Sequence, residues 1–363
     1  MKVTEELHGL GQSLWLDNIT RGLLDGGGLK RYIDDFSITG LTSNPSIFDH
    51  AIRDTSFYDD AIHGSEETAE KLFFELAVED LVRAADLFLP AHEATGGRDG
   101  WVSLEVSPLL ADDPDKTLAA ARELTTSAKR RNLFIKIPGT PRGLTAIENA
   151  IFDAIAVNVT LLFSAEQYIQ AARAYMRGIK RRIDARYDPA VHSVASIFIS
   201  RWDKAVVGRE PEGLKNKLGL AIAGQAYRAY RELLASREWQ ELAEQGAVPQ
   251  RLLWASTGTK DPKAPDTLYV SGLAAPDTVN TIPEVTLRAF ADHGKLTGEM
   301  AANGGDCEAV LARFAQAGVH ATHLANQLQR EGAEGFVKAW KDLLLCIEKK
   351  AHAVPAQAGA STK

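Results

Sequence analysis

The stretch Leu133-Phe134-Ile135-Lys136-Ile137-Pro138 sets a single lysine inside an apolar strand. Burial there disfavours the ammonium form, which is how an amine becomes a nucleophile. Similar apolar, β-branched runs recur on either side: Leu14 to Leu16, Ile38 to Thr42, Trp101 to Val106, Ala156 to Leu161, Val194 to Ile199, Leu252 to Ala255 and Thr267 to Val270. With the lysine run they make about eight strand candidates, separated by helical sequence. Each parallel pairing needs a crossover, so strands alternating with helices imply a mostly parallel sheet, and about eight units suggest closure into an α/β barrel. An open doubly wound sheet is the alternative.

The helical stretches have their own signals. From Ser65 the sequence offers an N-cap, acidic Glu66 and Glu67 for a first turn, then Ala69, Leu72, Phe73 and Leu76 on one face. Residues Pro45 to Gly100 are too many for one crossover and imply several helices, and Gly208 to Gly246 reads as a second helical insertion. Phe336, Val337, Trp340, Leu343, Leu344 and Ile347 fall at helical spacing, so a final helix should pack on the body. Residues 1–350 therefore read as one barrel domain with a C-terminal helix. The tail 351–363, rich in Ala, Gly, Ser and Thr, reads as a flexible tail or linker.

Composition narrows the partners. The 363 residues exceed the roughly 250 of a minimal eight-fold barrel, which leaves room for additional helices. A net charge of -7 argues against a nucleic-acid partner, and the basic runs Lys180-Arg181-Arg182 and Lys129-Arg130-Arg131 read as solvated helix faces. Met1 to Leu10 lacks the apolar stretch of a signal peptide and no segment approaches membrane-spanning length, so no membrane partner and a cytoplasmic location are expected. Cys307 and Cys346 are too few for a disulfide framework or a cysteine metal site and read as free thiols. No Gly-x-Gly-x-x-Gly lies between a strand and a helix, which argues against a dinucleotide cofactor.

In a parallel barrel, chemistry collects where the strands end. Asp17 follows the first run, Thr42-Ser43-Asn44-Pro45 ends the second, and Glu105 lies in the third. Lys136 is in the fourth. Asn158 and Thr160 point the same way from the fifth, the sixth supplies Ser196, Phe198 and Arg201, and the seventh runs into Ser256, Thr257 and Lys260. Each has a bland reading as well: Asp17 as a helix cap, Asn44 shaping the turn before Pro45, Ser196 or Ser256 bonded to backbone, and Lys136 paired with Glu105.

Taken together these residues resemble the transaldolase family. Leu41-Thr42-Ser43-Asn44-Pro45-Ser46-Ile47-Phe48 looks like its second-strand signature, Ile135-Lys136-Ile137-Pro138 resembles its Schiff-base lysine strand, and Asn158-Val159-Thr160-Leu161-Leu162-Phe163-Ser164 resembles its fifth-strand motif, all in the family order. The resemblance implies a class I aldolase-like (β/α)8 TIM barrel of the pentose phosphate pathway. Its members pass a dihydroxyacetone unit from sedoheptulose 7-phosphate or fructose 6-phosphate to glyceraldehyde 3-phosphate or erythrose 4-phosphate, with no metal or organic cofactor.

Carried over residue by residue, Lys136 would be the Schiff-base amine. Glu105 and Thr160 with a water would relay protons, and Asp17 would take the C4 hydroxyl proton. Asn44, Asn158 and Ser196 would hold the retained fragment, and Phe198 joins the substrate-binding set. Arg201 matches a phosphate-binding arginine. The sequence departs from familiar members in offering Lys260, with Ser256, where they have a second arginine, and Ile197 where proline is common. Chain length matches a longer branch that includes fusions to glucose-6-phosphate isomerase, so a homodimer and such a fusion partner both stay open.

Three rival readings remain. A related Schiff-base aldolase would release free dihydroxyacetone, but those relatives are shorter and use a tyrosine where this chain has Glu105 or Phe198. A non-catalytic sugar-phosphate sensor would keep the phosphate contacts without turnover. A metal-dependent aldolase would need clustered ligands, yet His8, His50, His63 and His92 do not cluster at strand ends, and His320 with His323 reads as a solvated or capping pair.

Overall fold

The computed structural model describes residues 2 to 352. Eight parallel strands close in sequence order into a barrel, with the first paired to the last. They are β1 (Ser13–Leu16), β2 (Ile38–Thr42), β3 (Val102–Glu105), β4 (Leu133–Pro138), β5 (Val157–Leu162), β6 (Ser193–Phe198), β7 (Arg251–Ala255) and β8 (Val279–Ile282). Seven of them coincide with the apolar runs read from sequence.

The eighth does not. Leu268–Gly272 is a short helix, and the last strand is Val279-Asn280-Thr281-Ile282. Two of its four residues are polar, so it lacks the continuous apolar run that marks the other strands. Two smaller expectations also shift. The long helix begins at Ala69 behind an N-cap at Thr68, whose hydroxyl accepts the Lys71 N–H at 3.3 Å, rather than at Ser65. Lys129 caps the helix Pro114–Ala128 in the left-handed region at φ 50°, and Arg130 and Arg131 lie beyond it, paired with Asp86 and Glu93.

The insertions are helical as expected. Helices Pro45–Arg53, Asp59–Ile62 and Ala69–Ala94 lie between β2 and β3, and Ser200–Ala205, Leu218–Ala235 and Arg237–Ala243 between β6 and β7. The chain ends its described part in a 31-residue helix, Ala321–Ala351, burying Phe336, Trp340, Leu343 and Ile347, with Val337 and Leu344 half-buried beside them. Apart from Ala351 and His352, the expected tail lies outside the described residues. Cys307 and Cys346 are free thiols in helices.

Strand alternation divides the core into two layers. Leu14, Leu16, Ile135, Ile137, Val157, Val159, Ala195, Ile197, Leu252 and Trp254 face out and pack under the helices. The opposite parity fills the barrel: Trp15, Phe134, Val194, Leu253 and Val279 form an apolar floor. Polar inward residues of the same strands sit above that floor, toward the strand ends. Ile197, one departure from the familiar family pattern, belongs to the outer layer and so touches helix packing rather than the interior.

Gly40 on β2 makes the floor possible. A Cβ there would lie 2.6 Å from the Trp101 carbonyl oxygen and 2.7 Å from the Trp15 indole nitrogen, and neither can retreat inside a closed barrel. Gly40→Ala should therefore lower unfolding free energy by roughly 1–3 kcal/mol, the usual cost of overpacking. Urea denaturation checks this, and an unchanged midpoint would mean the floor has slack.

Candidate active site

Lys136 sits mid-strand on β4 with Glu105 of β3 and Asn158 of β5 as its lateral register partners. In a parallel sheet that register puts the three side chains at one level on the inner wall. All three are buried. The Lys136 ammonium donates to the Ser43 carbonyl at 2.9 Å and lies 3.5 Å from Glu105 Oε2. Behind it, Ser196 donates to Asn158 Oδ1 at 2.6 Å and Asn158 Nδ2 donates to Ser103 Oγ at 3.2 Å, fixing the amide orientation.

A cavity of about 250 Å³ opens above this level at the strand ends. Of the eleven residues singled out in the sequence, nine line it: Asp17, Asn44, Lys136, Thr160, Ser196, Phe198, Arg201, Ser256 and Lys260. Glu105 and Asn158 do not line it; they lie in the wall, one beside the lysine and the other beneath Ser196. The bland readings hold in part. Asn44 does cap the helix Pro45–Arg53, accepting the Ile47 N–H at 3.1 Å, and Lys136 pairs with Glu105, but Ser196 and Ser256 meet side chains rather than backbone, Ser256 lying 2.9 Å from the Ser200 hydroxyl.

Six further residues line it to which the sequence reading gave no role: Thr42, Ser46, Ala255, Thr281, Pro283 and Phe336. Thr42 donates to Asp17 Oδ1 at 2.8 Å, and its oxygen is 2.6 Å from the Thr281 hydroxyl, so a relay Thr281 to Thr42 to Asp17 uses each proton once. The inward parity of Thr42 was a usable signal. Phe336 comes from the C-terminal helix, which is held over the barrel mouth by Gln329 donating to the carbonyls of Gly139 and Leu161 at 3.1 and 3.0 Å. Its ring meets Phe198 edge-on at 6.4 Å, and Arg201 lies over the Phe198 ring at 4.9 Å.

Electrostatics divide the cavity in two. At the inner end burial raises the carboxyls of both Asp17 and Glu105, against the pull of Lys136. At the rim two cations stand together. Burial lowers Arg201, and Lys260, exposed as a whole, has its ammonium end lowered by lost hydration and then by the like charge of Arg201. The site thus has an inner lysine with two carboxyls, and an outer pair of cations suited to an anion.

Comparison with known proteins decides the family. The model described as Transaldolase/Fructose-6-phosphate aldolase matches residues 14–347. The chain belongs to this family. A transaldolase of Arthrobacter sp. (strain FB24) is 43% identical over 357 residues, covering 95% of this chain and 96% of that protein. A transaldolase of Thermobifida fusca (strain YX) is 44% identical over 355 residues, with 94% and 96% covered. One from Neisseria meningitidis is 41% identical over 348 residues, with 95% and 99% covered. Among the described residues of this transaldolase-family chain, no group of three or more His, Cys, Asp or Glu side chains converges on a point where a metal ion could sit, and His320 and His323 are both exposed. No described helix is long and apolar enough to cross a membrane.

A carboxyl with a higher pKa folded than unfolded loses stability as pH rises from the unfolded value through the folded one. Asp17 is such a group, so Asp17→Asn should raise the melting temperature by a few degrees at neutral pH. The gain should shrink as pH falls through the raised folded value into the ordinary carboxyl range. A variant less stable than the parent at neutral pH would show instead that attraction to Lys136 outweighs the burial of Asp17.

Proposed function

We propose that this chain is a transaldolase, a transferase moving a dihydroxyacetone unit between sugar phosphates through a Schiff base on Lys136. The transferase reading rests on relatives of that name spanning nearly the whole chain. Assignment of the chemistry to Lys136 rests on one observation: it is the lysine buried inside the barrel, at the base of a cavity wide enough for a sugar phosphate.

The neutral amine of Lys136 attacks C2 of the ketose phosphate, giving a carbinolamine that loses water to form the imine. Glu105 and Thr160 would move the protons of that step. Glu105 Oε1 and Thr160 Oγ1 are buried without a protein partner, so both keep hydrogen-bonding capacity for a relay through water. Asp17 takes the C4 hydroxyl proton as the C3–C4 bond breaks; its electron pair passes to the iminium, leaving an enamine and releasing the aldose phosphate. A raised Asp17 pKa suits a base that must hold the proton until the acceptor aldehyde needs it. The enamine then attacks the acceptor, Asp17 returns its proton, and water hydrolyses the product imine.

Asn44, Asn158 and Ser196 would orient the hydroxyls of the retained fragment, with Phe198 walling one side. Arg201 and Lys260 would take the phosphate, aided by Ser256. The phosphate relieves the mutual repulsion of the two cations, so binding should raise the Lys260 pKa. A fructose 6-phosphate aldolase remains the second reading because the matched family includes that activity by name; the carboxylate at Glu105 favours transfer. A cytoplasmic location belongs to the same reading.

Borohydride reduction in the presence of fructose 6-phosphate should leave a three-carbon or hexose phosphate adduct on the Lys136 peptide and none in Lys136→Ala. Substrate binding without any adduct would favour a sensor. Dependence of product formation on an added aldehyde then separates transferase from aldolase. Lys260→Ala should raise KM for phosphorylated ketoses by about tenfold, a loss of roughly 1.4 kcal/mol, while changing kcat far less. An unchanged KM would leave Arg201 as the phosphate ligand by itself.

A further inference from the structure

A second cavity, about 340 Å³, opens at the opposite end of the barrel, where the strands begin. Ser193 and Arg251, the first residues of β6 and β7, line it, together with Trp101 just before β3. Its inner wall is Trp101 stacked on Phe134, with ring centres 4.0 Å apart and planes 21° from parallel. His192 lies 5.3 Å from the Trp101 ring. Burial pushes the His192 imidazole down to about 4, so at neutral pH it offers an uncharged ring. A slot walled by these rings fits a flat aromatic group.

Arg251 adds a charge that no described carboxylate touches; Asp99 and Asp277 attract it only from a distance. It is 6% exposed, and no described carboxylate lies within ion-pair distance of it. Its four hydrogen bonds go to the carbonyls of Asp277, Arg98 and Thr278 and to the Ser13 hydroxyl. A guanidinium has five N–H donors, so one is left over. The nearby carboxylates make their hydrogen bonds to other groups. Asp277 pairs with Arg98 and Arg231, and Asp99 accepts from the Trp15 indole at 2.8 Å and from the Gly100 N–H at 3.1 Å. Three guanidiniums thus share two carboxylates around a mostly apolar cavity, where an unpaired buried cation is costly and an anion would be stabilising.

We propose that this cavity is a second ligand site, taking a small planar aromatic carboxylate with its ring against Trp101 and its carboxylate toward Arg251. The floor of Trp15, Phe134, Val194, Leu253 and Val279 separates it from the Lys136 cavity, and it stands independently of the transferase reading.

Titration calorimetry of the full chain with indole-3-carboxylate, using neutral indole as control, tests this. One ligand should bind per chain, at least tenfold more tightly than indole. Lys136→Ala should keep that affinity. Val248→Trp, which fills the mouth from a half-buried loop position, should weaken it at least tenfold while leaving transferase activity as evidence of an intact fold. Leu234→Trp fills the same mouth from the neighbouring helix and serves if Val248→Trp does not fold. Absence of binding at millimolar ligand, equal affinity for indole, insensitivity to both filling variants, or loss of binding in Lys136→Ala would each overturn the proposal.

Discussion

Holding one ammonium and two carboxyls inside a closed barrel is the constraint on which the rest of this structure depends. Lys136 and Glu105, 3.5 Å apart, attract by about 5 kcal/mol at an effective dielectric of roughly 20. Removing each ion from water costs several kcal/mol, and Asp17 makes a third such group. Attraction therefore does not cover desolvation, which agrees with both carboxyls being raised rather than lowered despite the nearby lysine. The deficit has to be met by packing elsewhere. The apolar floor and the outer layer of Leu, Ile and Val under the helices supply it, and they also deny the three groups any route to solvent except through the cavity.

That confinement explains two details at the strand ends. Lys136 has its shortest hydrogen bond to a main-chain oxygen, that of Ser43, and the Ser43 hydroxyl donates to the Ser103 carbonyl at 2.7 Å. A neutral acceptor steadies the ammonium without fixing it as strongly as a close carboxylate would. On the other side, Leu161 and Ser256 both adopt left-handed backbone at φ 61° and 56°, a strain of order 1–3 kcal/mol each. The Leu161 carbonyl accepts from Gln329, so the strained end of β5 is where the C-terminal helix is pinned. Through that pin Phe336 reaches the cavity, where it backs Phe198, which in turn backs Arg201.

How much of this was legible in the sequence follows from what kind of signal each part leaves. Lys136 stood out because a charge inside an apolar strand breaks a pattern. Asp17, Glu105, Thr160 and Ser196 stood out for the same reason, and the barrel was read from about eight apolar runs, seven of which are strands. β8 was hidden because Asn280 and Thr281 dilute its four residues, whereas Thr267 to Val270 has the composition of a strand but lies in a short connection that turns helical. With β8 misplaced, Thr281 could not be seen as part of the relay to Asp17. Phe336 was read correctly as buried. Helical periodicity says that a face is covered, but not whether the cover is a core or a cavity. The Ser43 carbonyl leaves no trace in side-chain identity.

Both ends of the barrel carry more guanidinium and ammonium than nearby carboxylate can match, and the physical consequences differ. At the mouth of the Lys136 cavity Arg201 is half-buried and Lys260 exposed, so water screens them and their repulsion is tolerable without an anion. Lysine in place of a second arginine fits that setting: a point charge on a flexible stem can approach phosphates of differing geometry, at the expense of the bidentate hold a guanidinium would give. At the opposite end Arg251 is deeply buried and braced by three carbonyls and a hydroxyl, so its charge cannot move away. A mobile, half-solvated cation suits a substrate that must leave after each turnover. A fixed one suits a ligand that stays.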